Sequence, residues 1–90
     1  MKLFEALHEM RRLSAEGKSF AFSFMSYDSS RKKSDGIIYV RHGRLRKRES
    51  TRYNKNAEIM EGYTDLDTME PKQFYQPLLM TFNGEKVDLR

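Results

Sequence analysis

Ninety residues, 38% of them apolar and 33% charged, are expected to make one small domain with one core, a composition that excludes a disordered chain. The lack of cysteine excludes disulfides and thiolate metal sites, and the two histidines, His8 and His42, are far apart with no metal-ligand spacing around them. The formal charge of +4 is laid out unevenly: residues 31–55 carry ten of the seventeen Lys and Arg against two acids, a net +8, while residues 1–30 are neutral and residues 56–90 carry −4.

The first segment, MKLFEALHEMRR, has acids among its apolar residues and no small-residue cleavage site. It reads as neither a signal peptide nor a membrane span, and a cytoplasmic protein is expected. Leu3, Leu7, Met10 and Leu13, with Phe4 and Ala6 beside them, recur at steps of three and four, which predicts a helix over 1–17 that buries one stripe on a sheet. Gly17 is placed to end it as a left-handed cap. In KSFAFSFMSY, Phe20, Phe22 and Phe24 alternate with smaller residues, predicting a strand with an aromatic inner face. Such a row can be a base-stacking platform, but the helical stripe before it needs a surface to cover, so it is assigned to the core.

Residues 28–36, DSSRKKSDG, are polar and turn-forming and predict the loop of a long hairpin. The run GIIYVRHGRLRKR then starts β-branched and ends basic. A His42-Gly43 turn would set Ile37 and Ile38 opposite Arg48 and Lys47, leaving the apolar half without apolar partners; one strand bent by a bulge at Gly43 is the preferred reading. Further on, a hairpin loop at Thr68-Met69 would pair Asp65 with Lys72, Tyr63 with Phe74 and Glu61 with Gln76, with Pro71 by the turn. Asn83-Gly84 is the strongest short hairpin signal in the chain and pairs Met80 with Val87 and Leu78 with Leu89. A short helical turn over PLLMTFNG is the weaker rival.

The sum is an α+β domain, residues 1–90. An N-terminal helix over 1–17 packs on a β-rich remainder, 18–90, of about five antiparallel strands in meander order, either a helix-covered sheet or a small SH3-like or OB-like barrel.

No phosphate loop, nucleophile elbow or histidine pair is present, and no enzyme, cofactor or small-molecule substrate is expected. Carboxylates occur in pairs, Asp65 with Asp67 and Glu58 with Glu61, and could be weighed for a metal, but Asp65, Asp67 and Glu70 surround a turn that itself attracts acids. The basic strand offers more. Arg41, Arg44, Arg46, Lys47, Arg48 and Arg52, with Tyr39 and Tyr53 for stacking and Arg31, Lys32 and Lys33 at the loop tip, have the composition of a surface that tracks phosphates. Against this stands neutralisation within the sheet, since Glu58 and Glu61 lie on strands expected beside it.

The stretches SFMSYDSSRKKSDGIIYVRHGRLRKR and EGYTDLDTMEPKQFYQPLLMTFNGEKVDL resemble short proteins without assigned activity from prophage-like or conjugative elements of gut bacteria. The resemblance implies a mobile-element setting in which small β-rich domains serve as particle parts or assembly adaptors. Together these readings make a non-enzymatic interaction or assembly module the first expectation, with a protein chain or a second copy as partner. A nucleic-acid-binding domain using the basic strand 41–52 is the alternative, and no membrane partner is expected.

Overall fold

The computed structural model describes residues 1–28, 33–47 and 59–88. Helix α1 (Leu3–Ala15) is followed by β1 (Phe20–Asp28), β2 (Lys33–Leu45), β3 (Met60–Asp65), β4 (Glu70–Tyr75), a single 3-10 turn (Gln76–Leu78), β5 (Leu79–Phe82) and β6 (Glu85–Lys86). The helix packs on one six-stranded antiparallel sheet of order β4-β3-β2-β1-β5-β6, which does not close into a barrel. Among the described residues no helix is long and apolar enough to cross a membrane.

The helix ends where the glycine predicts. Gly17 has φ 76, its N–H donates to Ser14 O at 3.1 Å, and the Lys18 N–H donates to Leu13 O at 2.9 Å, the paired bonds of a Schellman ending. At the other end Lys2 provides no side-chain cap. The Leu3 N–H donates instead to Asp88 O at 2.7 Å, so the C-terminal segment satisfies one of the helix's orphan donors. The buried face centres on Ala6 and Met10, with Leu3, Leu7 and Leu13 half-buried beside them and Phe4 exposed. Alanine at the centre lets the helix approach the sheet closely, which a leucine there would prevent.

Phe20, Phe22 and Phe24 are buried beneath this helix with Val40, Leu45, Tyr63, Phe74, Leu79, Phe82 and Val87. The aromatic row is therefore core and not a surface platform. In β1–β2 the register passes from Phe22↔Val40 to Phe20↔Gly43, so β2 carries an extra residue and runs on as one bent strand. The strands also extend into the predicted loop, to Asp28 and from Lys33. The loop-tip residues Arg31 and Lys32 lie outside the described residues.

The β3–β4 hairpin pairs Asp65 with Glu70, Tyr63 with Lys72 and Glu61 with Phe74, a register two residues from the predicted one. The loop is Leu66–Met69, not a two-residue turn: the Asp67 N–H donates to Asp65 Oδ1 at 3.0 Å, and Met69 takes the left-handed conformation at φ 58. A shift of two keeps every side chain on its predicted face. At the end of the chain Asn83 and Gly84 have φ 49 and 83, as a two-residue hairpin turn requires, and Val87 N–H donates to Met80 O at 2.8 Å in the predicted register. Leu78 sits in the 3-10 turn, and Leu89 lies outside the described residues.

The meander holds for β1 to β4 and then breaks, because β5 returns to the free side of β1, pairing Phe22 with Phe82 and Ser23 with Thr81. A three-residue turn can span β4 to β5 only if the sheet curls. In a flat sheet β1 and β4 would stand about 14 Å apart, three strand spacings. Yet the rings of Phe24 and Phe74 stack at 5.3 Å, and Tyr27 meets Tyr75 at 6.0 Å. The apolar residues fill the concave side, and the helix lies across it.

Candidate nucleic-acid interface

The bulge at Gly43 decides which way the basic residues point. In β2 the inward positions are Val40 before the bulge and Gly43 and Leu45 after it, so Arg41 and His42 both turn outward and Arg44 and Arg46 follow on that same face. With strict alternation Arg44 and Arg46 would share the inward face of Val40. One extra residue thus joins Tyr39, Arg41, Arg44 and Arg46 into a single row on the convex side. Tyr39 is 74% exposed, Arg41, Arg46 and Lys47 are exposed, and Arg44 is half-buried. Arg48, Arg52 and Tyr53 lie outside the described residues.

Arg46 has a prepared bed. A β-carbon at Gly62 of β3 would lie 2.9 Å from Arg46 Nη2 and 3.3 Å from Nε and Cζ, so the guanidinium lies flat over the glycine backbone. It thus lies over β3, where Gly62 is paired with Gln73 on β4. The Arg46 N–H donates to Gly62 O at 2.8 Å, which fixes the two strands beneath the side chain.

Glu61 does not pair with the described cations of β2. Glu61 is 3% exposed on the concave side, where its carboxylate accepts from Arg11 of the helix and from Gln76 Nε2 at 2.7 Å. The intervening sheet separates it from the outward Arg row, and Glu58 lies outside the described residues. Arg11 also donates from Nη1 to the Arg46 backbone oxygen at 3.2 Å, tying the helix to the end of the row. Arg41, Arg44, Arg46 and Lys47 make no ion pair with any described residue. By register, the outward positions of β1, β3 and β4 carry no acid among the described residues.

The carboxylates weighed for a metal have other work. Asp65 accepts the Asp67 N–H and lies 3.8 Å from Lys72 Nζ, and Asp67 Oδ1 lies 3.0 Å from His42 Nδ1. Glu70 is exposed at the start of β4. Among the described residues no three His, Cys, Asp or Glu side chains converge.

Sequence reasoning identified the cations but missed Gly62, whose role depends on the β2–β3 register. The only sequence signal is a glycine inside an otherwise regular strand, which marks close approach by another group. Comparison of the chain with family models, curated proteins and solved structures gave no significant match.

Proposed function

We propose that this chain is a non-enzymatic binding module that holds nucleic acid by its phosphates along the convex face of β2, through Arg41, Arg44 and Arg46, with Lys47 just past the end of the strand and Tyr39 in the row for stacking. The observation that carries this reading is a row of neighbouring cations that make no ion pair with any described residue, while Asp67, in the loop beside the row, lies 3.0 Å from the His42 imidazole. Surface cations packed against their own acids are already screened; cations left alone gain from a polyanion by releasing its condensed counterions. Arginine suits the task because its planar fork contacts phosphate bidentately. Outward residues two positions apart stand about 6.6 Å from one another, on the scale of successive phosphates of an extended strand.

The expectation of a protein partner ranks second. Exposed Ile37 and Tyr39 beside the row support it.

Anisotropy of labelled oligonucleotides across a salt series tests the first reading. Three to four neutralised phosphates predict a slope of log K on log salt of about −2 to −3 for a single strand. The Arg44→Glu/Arg46→Glu double variant, folded by circular dichroism, should lose binding at least tenfold at low salt. Unchanged affinity in that variant, or no binding by the native chain even at low salt, would overturn the proposal and leave the protein partner as the better reading.

A further inference from the structure

Where the curled sheet fails to close, the ends of β1 and β4 face each other across a cleft of about 280 Å³. Phe24 and Phe74, stacked at 5.3 Å, close it from the core side. Tyr27 and Tyr75 form its aromatic wall, their rings 6.0 Å apart and inclined at 70°, so that the face of one meets the edge of the other. Met25, Ser26, Met60 and Gln73 complete the lining. Tyr27 is 45% exposed.

The cleft also presents backbone polar groups. Antiparallel strands bond their two neighbours with alternate residues. Gln76 N–H donates to Ile59 O at 2.7 Å, so the β4 residues bonded to β3 are the even-numbered ones, and the amide groups of Gln73 and Tyr75 point into the gap. On β1 the Asn83 N–H donates to Ala21 O at 2.7 Å, so odd-numbered residues face the β5 side. The pairing with β5 ends at Phe24, which leaves the amide groups of Tyr27 turned to the same gap. The rings that meet across the gap leave no room for an inserted strand, which needs about 4.8 Å to each neighbour.

Two mutually inclined tyrosine rings beside backbone donors and acceptors make a site where a flat, polar-edged ring can stack on one of them, because stacking and edge hydrogen bonds are how unpaired bases are held. The volume lies just below the roughly 300 Å³ of the smallest drug-sized pockets and suits one ring system. Its position relative to the cations selects the ring's source. The Arg46 guanidinium lies over Gly62, whose partner on β4 is Gln73 at the cleft's rim, and Tyr75 follows two residues on. The Arg46 end of the row thus lies one strand spacing, about 4.8 Å, from the strand that carries the cleft's rim.

We infer that the cleft between β1 and β4 receives an unstacked base, so that the convex face selects single-stranded over double-stranded nucleic acid. The inference rests on the phosphate-binding reading of the Arg row, and its test separates the two. Four labelled 20-mers are compared: single-stranded DNA, single-stranded RNA of the same sequence, an abasic single strand and a DNA duplex. The base-bearing single strands should bind about tenfold more tightly than the abasic strand and the duplex. In a Tyr75→Leu variant of native urea midpoint that advantage should vanish while the salt slope stays, whereas Arg44→Glu/Arg46→Glu should weaken all four alike. The ratio of RNA to DNA affinity reports whether the 2′-hydroxyl is used.

A second readout does not need the Arg row. The methyl resonances of Met25 and Met60, both lining the cleft, should shift with adenosine or uridine monophosphate and not with ribose 5-phosphate. Equal binding of abasic and base-bearing strands, or a base preference that survives Tyr75→Leu, would overturn the inference even if the cations bind phosphate. Methyl shifts that depend on protein concentration without nucleotide would assign the cleft to a second copy of the chain and overturn it as well.

Discussion

A β-carbon at Gly43 would lie 2.7 Å from Phe22 Cε1 and 3.1 Å from Val40 Cγ1, both parts of the packed concave side. Gly43→Ala must push a core ring aside, and a cost of about 1–3 kcal/mol is expected from the urea midpoint. Gly62→Ala makes a useful contrast, because the nearest atoms its added carbon would meet belong to the Arg46 guanidinium, the far end of a flexible side chain. The urea midpoint should hold while affinity for a single strand falls severalfold, as the arginine leaves its bed. Tyr63, 1% exposed, has its phenol pushed up to about 12 by burial, with the Asp65 carboxylate adding to the shift. Below pH 10 the phenol is neutral in both folded and unfolded chains, and its full contribution to stability is present. Between pH 10 and 12 the unfolded chain ionises first, so stability is lost as pH rises, by at most about 2–3 kcal/mol. Tyr63→Phe should flatten the urea-midpoint curve over that window.

At the scale of elements, the helix was legible because its signals are local. An apolar stripe and a glycine need nothing from the rest of the chain, and both act as read. What holds the helix on the sheet was not legible. Ser14 Oγ donates to Met10 O at 2.7 Å and accepts the Leu45 N–H at 2.9 Å, and Arg11 reaches the buried Glu61 carboxylate. Arg11→Ala leaves that carboxylate buried without its helix cation. A loss of about 2 kcal/mol is expected by urea denaturation, less than the 3–5 of a fully buried pair because Arg11 is 37% exposed. The hairpins divide in the same way. Asn83-Gly84 specifies its own turn and register, whereas the β3–β4 loop depends on an Asp65 side-chain bond and a left-handed Met69 that no dipeptide rule announces.

For the molecule as a whole, the return of β5 to β1 and the curl that permits it are the decisive features. Phe74 of β4 meets Phe22, Phe24 and Tyr63 with ring centroids 5.3–6.0 Å apart, so it holds the curl together across the open seam. Phe74→Ala should cost about 3–5 kcal/mol and abolish the cleft together with the packing, measured by urea denaturation. The residues alone determined an α+β chain, the helix and its end, the aromatic core strand, the bend at Gly43, the last hairpin and the location of the cations, because periodicity, special backbone conformations and charge are carried by neighbours in sequence. Only the tertiary structure decided that β5 leaves the meander, that Glu61 turns inward to the helix, that Arg46 lies on Gly62, and that Tyr27 and Tyr75 frame one cleft. Each of those depends on strand register and sheet curvature, which are set by contacts among residues remote in sequence once the whole core is packed.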